Sequence, residues 1–370
     1  MLIDTYKKRG ENFRSKAEVL KTRLSWLSFV RLLSFLFFVY FLYTSTQTGA
    51  AFAIISAFLF FAAFLVLVNQ YGKLQQKKQY YIALAEWNER EAQFLTTNKS
   101  VYETGAEYED PHHPFSYDLD LFSEGGLYSY LNRCSTPFGK EQLAQDLLQP
   151  DISNIDQKQE AVTELAGKID FRQQLYAHGS LHLTKKKDLE RLMHWIDGDP
   201  KLIGKKWYYF LMLFPIATIG NLAFYIFTEN EMALSAFFKL FVLNLIIAGA
   251  FTKKITSQLS VSTSVTKILQ NYSNQLRLIE NETPQSALLR QYQQQLQREG
   301  NKASHLIGQL ASLFNYLETV VNLVVSIFLN GLFLFHVHIL FRLGNWKKQH
   351  AHEIKDWLRL IGRFEALSSF

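Results

Sequence analysis

Three kinds of side chain in this sequence could do chemistry: clustered cations, charges inside apolar stretches, and paired histidines. Lys185, Lys186 and Lys187, with Arg191 close behind, form a basic patch at the start of a predicted helix. Such a patch suits contact with the phosphate of a lipid headgroup or of a nucleic acid. A surface that faces solvent or a membrane is the favoured interpretation over a nucleic-acid site, because a long apolar stretch follows closely.

Two charges, Arg31 and Lys239, lie inside long apolar stretches. An ionisable residue within a membrane-spanning segment is by default a functional candidate. Arg31 is about one turn from the nearer end of its stretch, so its stem can snorkel to the interface. Lys239 is deeper. We favour the interpretation that it also snorkels, or meets a polar neighbour such as Asn221 or Asn244, because the stretches hold no acidic partner.

No motif for catalysis or metal binding is recognisable. The chain lacks Gly-x-x-x-x-Gly-Lys-Ser/Thr, whose backbone amides cradle phosphates, and it lacks the Gly-x-Ser-x-Gly nucleophile motif. The histidine pairs have no third and fourth ligand at helical spacing, so we interpret them as loop and core residues rather than zinc ligands. These pairs are His112 with His113, His336 with His338, and His350 with His352. We therefore predict no catalytic residue, no metal site and no cofactor in these 370 residues.

The elements that must position these residues are dominated by four apolar stretches in two close pairs. Each is near the roughly 20 residues that a helix needs to cross about 30 Å of hydrocarbon. Two adjacent spans leave no polar face to meet water, which argues against the alternative of buried helices in a large soluble core. We predict two transmembrane helical hairpins, at residues 26–69 and 207–251.

The charges around these hairpins indicate their orientation. Lysines and arginines precede and follow each hairpin, whereas the connectors near 44–49 and 228–231 hold no positive residue. Positive residues favour the cytoplasmic side, so we expect a four-span protein of the inner, cytoplasmic membrane with both termini in the cytoplasm. Trp26, Tyr43 and Trp207 lie at span ends, where amphipathic rings favour the interface.

Outside the hairpins the periodicity is helical, and strand-like alternation is not sustained. The sequence predicts helices at 71–96, 139–148, 154–166, 171–176, 186–196 and 255–280, and helical periodicity also resumes at Asp118. Thr136-Pro137 before Phe138-Gly139 provides a cap and a helix entry, and Pro150 ends that helix. The fold class that we predict is all-α, with two transmembrane hairpins and a cytoplasmic helical domain. One cysteine, Cys134, excludes an intramolecular disulfide, and the net charge of +6 partly reflects the span flanks. The expected organisation is a basic amphipathic N-terminal segment (1–25), hairpin 1 (26–69), a helical linker and loop (70–117), a helical core region (118–200), hairpin 2 (207–251), lever-like helices (252–303) and the rest of the core (304–370).

The apolar segment 319–341 allows two interpretations. A fifth span would place the following lysines and arginines outside, against the charge rule. A helix buried inside the cytoplasmic domain also explains Asn322, Asn330, His336 and His338, so we favour burial. Asn330-Gly331 could break this helix in two.

The stretch from Leu121 to Pro150, which includes Leu131-Asn132-Arg133-Cys134-Ser135-Thr136-Pro137-Phe138-Gly139, resembles the start of the helical core of MutS mismatch-repair ATPases. Segments resembling those that follow it in the family are 152–176 and 188–192 here. The end of the chain, from Phe328 to Phe370, is similar to the end of the same core in membrane-associated MutS-like proteins of bacteria. The resemblance covers roughly 118–195 and 304–370.

The resemblance implies a core and lever that work with an ATPase domain, with ATP and Mg²⁺ as cofactors of that domain. Implied partners are DNA, a P-loop ATPase domain or chain, and a second copy of the chain; the bilayer is the partner that the spans imply. The chain departs from the family because it lacks the P-loop and the mismatch-reading domain with its Phe-x-Glu wedge. We expect the ATPase domain to follow Phe370 or to reside on another chain.

Two functional hypotheses stay open. The first is a membrane-anchored MutS-like core and lever that couples an ATPase to a partner such as DNA. The second is a membrane scaffold or transporter-like protein unrelated to ATP hydrolysis. Four spans with almost no polar lining argue against a permeation path, which favours the first.

Overall fold

The described residues fold almost entirely into α-helices, as the helical periodicity predicts. The computed structural model describes residues 2–48, 51–181, 186–199, 203–298 and 300–370. Within these ranges the only strands are the two-residue pair β1 (Gln297–Arg298) and β2 (Asn301–Lys302), which are antiparallel. The all-α class is therefore confirmed. The contacts divide the chain into two units, residues 1–132 with 172–181, and residues 133–171 with 182–370.

The first unit is built on a long antiparallel hairpin of two helices, α1 (Leu2–Thr48) and α2 (Ala51–Thr97). The predicted N-terminal segment 1–25 is not a separate element, because α1 continues through it into the first apolar stretch. Likewise, α2 continues past the second apolar stretch, as the uninterrupted polar helix pattern from Tyr71 predicts. A 3₁₀ turn (Ala106–Tyr108) and the short helix α3 (Leu127–Leu131) follow. The helix expected from Asp118 onward is wrong, because turns occupy that stretch up to α3.

The hairpin has two differently packed halves, which we call the base (residues 2–25 and 71–97) and the tip (26–48 and 51–70). In the base, large apolar side chains are buried, and the rings of Tyr6 and Trp87 meet edge to face at 5.8 Å. Arg14 binds Glu89 through two hydrogen bonds of 2.8 and 2.7 Å. The tip is apolar on its exposed surface: Phe52 and Phe58 expose 73% and 72% of their surface.

The second unit is a helical core joined to a second apolar hairpin. The core contains α4 (Pro137–Leu148), α5 (Ile155–Gly167) and α7 (Lys186–Asp197). The helix α6 (Ile169–Ser180) begins in this unit, and its residues from Arg172 belong to the first. The predicted helices at 139–148, 154–166, 171–176 and 186–196 are thus present, with shifted ends.

The second apolar hairpin consists of α8 (Lys205–Leu211) and α9 (Leu213–Thr228), nearly continuous, and α10 (Glu231–Ala250). Only Phe251 separates α10 from the long helix α11 (Thr252–Asn281). The helix α12 (Ala287–Gln294) and the β pair lead to α13 (Ala303–Glu318), which packs antiparallel to α11. Leu276, Leu310 and Phe314 are fully buried in this core.

Residues 319–341 differ from the sequence expectation. After a 3₁₀ turn (Thr319–Val321) the chain bends by 111° into α14 (Leu323–Phe333), which packs on α9 and α10 rather than inside the core. Leu323 and Val324 on its outer side expose 71% and 64% of their surface, so the prediction of burial is wrong for α14. The second break lies at Leu334, with a φ of 48°, and not at Asn330-Gly331.

The last helix, α15 (Phe335–Ser369), returns into the core and packs on α4 and α13. Gly331 is needed where α14 meets α10, because a Cβ there would lie 2.3 Å from the ring of Phe241. Among the described residues, four helices are long and apolar enough to cross a membrane, or five if α13 and α14 are taken as one bent span. These are Leu2–Gln47, Ile55–Thr97, Lys205–Thr228 and Glu231–Ala250.

Candidate functional site

The carboxylate of Glu365 is a buried polar group with several hydrogen-bond donors in the second unit. It is 2% exposed and accepts hydrogen bonds from the Ser135 hydroxyl at 2.5 Å and from the Thr136 hydroxyl at 2.6 Å. The Thr136 amide donates at 3.1 Å, and the Gln275 side-chain amide donates at 2.9 Å. One carboxylate thus joins three segments: the loop before α4, the lever helix α11 and the last helix α15.

The local sequence explains why the loop can reach Glu365. Thr136 is the N-cap of α4: its hydroxyl accepts from the Gly139 amide at 3.1 Å, and Pro137 occupies the first helical turn. A Cβ on Gly139 would lie 2.1 Å from Glu365 Oε2, so the close approach of α4 and α15 requires glycine. Thr136 is therefore both the helix cap that the sequence predicts and a partner of Glu365 in a tertiary contact.

We call Glu365 and its partners Ser135, Thr136 and Gln275 the Glu365 junction. The electrostatics of this junction favour a structural role. Burial raises the pKa of the Glu365 carboxyl, and the hydrogen bonds from Ser135, Thr136 and Gln275 oppose that rise. Burial also raises the pKa of the Cys134 thiol well above its usual range, with the nearby Glu365 adding to it. A thiol held protonated and buried is a poor nucleophile. The residues of this junction hold three segments of the second unit together.

Two further carboxylates, the buried Glu280 and the half-buried Glu318, fasten α11 to α13. Glu280 accepts from the Ser304 amide at 2.9 Å and from the Ser304 hydroxyl. At the other end, Glu318 accepts from the hydroxyls of Ser262 at 2.7 Å and Thr266 at 2.8 Å. Because α11 and α13 are tied at both of these positions, we expect the two helices to move as one body.

Sequence reasoning identified Thr136 and Gly139 as a helix entry but missed Glu365 and Gln275. The Thr136–Glu365 contact joins residues 229 positions apart, and no local pattern indicates that the two residues meet. The only sequence signal was a glutamate in the otherwise apolar run near the end of the chain, Phe364-Glu365-Ala366-Leu367.

The predicted basic patch is only partly visible. Lys185 lies outside the described residues, and Lys186 is described only as the first residue of α7. Lys187 is exposed, and the Arg191 guanidinium lies 3.3 Å from the Asp188 carboxylate on its own helix. Contact of this patch with phosphate or lipid stays a prediction.

The charges inside the apolar helices have different surroundings. Arg31 is half-buried, and its guanidinium lies 5.0 Å from the centre of the Tyr71 ring across the first hairpin. Lys239 is exposed on α10. Asn244, one of the neighbours suggested for it, is buried instead and donates to the Thr218 hydroxyl at 3.0 Å and to the Gly331 carbonyl at 2.8 Å.

The comparisons with known proteins agree with the resemblance of the core. No curated protein and no solved structure matches the chain significantly. A family model, MutS domain III, matches residues 115–324, a range that contains the loop before α4, the second apolar hairpin, α11 and α13. The match does not extend to residues 325–370, for which similarity to the family stays a prediction. Because the match includes more than half of the 370 residues, the chain belongs to the MutS domain III family.

Proposed function

We propose that this protein is a membrane-anchored MutS-like module whose core and lever helices couple the nucleotide state of an ATPase domain, in the same polypeptide or on a separate chain, to a partner such as DNA. The anchor in this proposal is the pair of apolar hairpins, and the lever is α11 with α13. ATP and Mg²⁺ belong to the ATPase domain, and the inner membrane is the expected location, with both termini in the cytoplasm.

The observation that supports the proposal most directly is the continuity of α10 and α11. One residue, Phe251, separates the apolar hairpin from the lever helix. Farther along, Gln275 of α11 binds Glu365 of α15, and Glu365 binds the loop before α4. A displacement of α15 therefore reaches α11, and through it the hairpin, by way of helices and hydrogen bonds alone.

The packing inside the hairpins supports the anchor. Among the described residues of the first tip, the buried side chains are small: Ser34, Ala53, Ser56 and Ala57. Most large apolar side chains are exposed, and those that face the partner helix, such as Phe41 and Phe60, are half-buried, with their rings 5.6 Å apart. Small residues between helices and large apolar residues outside are typical of helices that pack in lipid.

Cysteine labelling from outside the cell tests the anchor and its orientation. In a Cys134→Ser background, we expect a membrane-impermeant maleimide to label Gln47→Cys and Glu229→Cys in intact cells. It should label Glu18→Cys and Arg359→Cys only after permeabilisation. All four variants should stay in the membrane pellet after alkaline carbonate washing. Release of the chain into the carbonate supernatant would refute the anchor.

A second assay addresses the coupling role against the transporter alternative. Purified chain in lipid nanodiscs should not hydrolyse ATP above background, because the sequence contains no P-loop. Measurable turnover would refute that part of the proposal. Substrate-dependent flux through reconstituted protein, abolished by Lys239→Leu, would favour the transporter instead.

A further inference from the structure

A cavity of about 430 Å³ lies between the end of α7 and the middle of α15. Its polar lining includes Asp197, Gly198, Lys347, Lys348, His352 and Lys355. The lining thus contains three lysine side chains and one carboxylate, that of Asp197. This cavity is separate from the Glu365 junction and from the basic patch at the start of α7.

Lys347 is the unusual member of this set. It is only 5% exposed, and its ammonium lies 4.6 Å from the centre of the Trp195 ring. Burial lowers its pKa, while Asp199 and Asp197 act in the opposite direction. Asp197 also binds Lys355 at 2.7 and 3.0 Å, so its charge is shared between two lysines. An anion in the cavity would compensate the remaining positive charge at Lys347 and Lys348.

The position of the cavity along α15 places it close to the expected membrane interface. Near the start of α15, the Phe341 ring stacks on Tyr208 of α8 at 3.6 Å, and Trp207 and Tyr209 beside it are exposed. Lys347 and Lys348 lie about 10 Å farther along α15 at 1.5 Å per residue, on the side away from α14. A headgroup layer is roughly 5–7 Å thick. If α8 enters the hydrocarbon at Tyr208 and α15 runs along the membrane normal, the backbone of these lysines lies roughly 3–5 Å beyond that layer, from where their long side chains can reach the headgroups.

We propose that this cavity binds the phosphate of an anionic phospholipid headgroup from the cytoplasmic leaflet. The ammonium groups of Lys347 and Lys348 contact the phosphate oxygens, and Lys355 holds Asp197 away from them. The inference rests on the membrane anchor proposed above. A lipid bound there would contact both α7 and α15 and would hold the helical core at a constant distance from the bilayer.

The test follows the thermal midpoint of the full chain in neutral detergent micelles while a lipid is added. We expect phosphatidylglycerol to raise the midpoint in a saturable manner and phosphatidylcholine to leave it unchanged. Lys348→Gln should weaken the apparent affinity for phosphatidylglycerol by roughly fivefold, the effect of one basic residue near an anionic membrane surface. Lys267→Gln, on the exposed side of α11, is the matched control and should leave the affinity unchanged.

Four outcomes would overturn the assignment: equal effects of the two lipids, an unchanged affinity in Lys348→Gln, saturable stabilisation by inorganic phosphate without lipid, or the same by duplex DNA. The phosphate result would indicate a site for a free anion, and the DNA result a nucleic-acid contact. Lys348 is exposed, so its neutralisation should not impair folding. A chain that resists carbonate washing yet shows no preference for phosphatidylglycerol would refute this inference alone, whereas carbonate release would refute the anchor.

Discussion

The tip of the α1–α2 hairpin and the α11–α13 pair are both antiparallel helix pairs, yet they are packed in opposite ways. In the tip, alanine and serine are buried while Phe52 and Phe58 are exposed. In the α11–α13 pair, Leu276, Leu310 and Phe314 are fully buried. Helices in water must remove apolar surface from the solvent, as the α11–α13 pair does. The exposed rings of the tip fit the proposed membrane anchor, because lipid is itself apolar.

The two regions also differ in the hydrogen-bond partners of their polar side chains. In the tip, the Ser34 hydroxyl donates to the Phe60 carbonyl across the hairpin at 2.9 Å, a small polar contact between close helices. In the second unit, carboxylates accept hydrogen bonds from several donors, as Glu365, Glu280 and Glu318 show. We therefore expect core stability to depend on ring burial and carboxylates, and tip stability to depend on the size of the buried side chains.

The largest expected contrast comes from the same substitution in both regions. Phe314→Ala should lower the free energy of unfolding by about 3–5 kcal/mol, because it leaves a cavity in the core. Phe58→Ala should change it by less than about 0.5 kcal/mol, since the ring faces outward. Denaturant unfolding in mild detergent measures both. A loss above 1 kcal/mol for Phe58→Ala would show that this ring packs on protein.

Removal of the Glu365 carboxylate should be nearly as costly. Glu365→Ala leaves Ser135, Thr136 and Gln275 without their acceptor, and we expect a loss of about 3 kcal/mol. Glu365→Gln keeps the volume and serves as the uncharged control.

The pH dependence of the same site sharpens the comparison. Burial raises the folded-state pKa of Glu365 above its ordinary value of 4.5. Its protonation therefore stabilises the fold fully below pH 4.5, and this contribution is lost as the pH rises through the folded-state pKa. The stability advantage of the wild type over Glu365→Gln should shrink as the pH rises from 4.5 towards neutrality. An advantage that does not vary with pH would contradict the assignment.

An intermediate effect is expected from overpacking the tip. Ala57 is 5% exposed, so Ala57→Leu should force the two helices apart and cost about 1–3 kcal/mol. The neighbouring exposed position provides the matched control, because Phe58→Leu adds no volume between the helices. Thermal unfolding in nanodiscs compares the two. If both variants melt like the wild type, the tip helices are not in close contact at Ala57.

The smallest expected effect is an acid-dependent one in the core. Burial would raise the pKa of Glu164, but Lys168 and the amides of Ser286 and Gln285 outweigh it and lower the pKa to about 2. Its contribution is present above pH 4.5 and is lost as the pH falls from 4.5 towards 2. Glu164→Gln should cost about 1–2 kcal/mol at pH 7, after allowance for solvent screening, and much less in acid. A cost that stays constant during acid titration would show that Glu164 is not held ionised.

The sequence predicted those helices whose signals are local. Thr136 and Pro137 mark the start of α4, and Pro150 follows its end. The polar run from Tyr71 predicted the second half of α2, and the long polar run from Ile255 predicted α11. The helix predicted from Asp118 is wrong, because apolar residues in a turn-rich loop can have the same spacing as those of a helix. For α14, apolarity predicted burial, although the chain bends and leaves much of that helix exposed.

The sequence alone determined the helical class, the apolar hairpins and the basic residues that flank them, because each is a property of neighbouring residues. Only the tertiary structure decided that Glu365 meets Ser135, Thr136 and Gln275, that Leu334 ends α14, and that Lys347 lies over Trp195. Contacts of this kind join residues far apart in sequence. They are selected by how whole helices pack and by the need to satisfy buried polar groups, which no local spacing records.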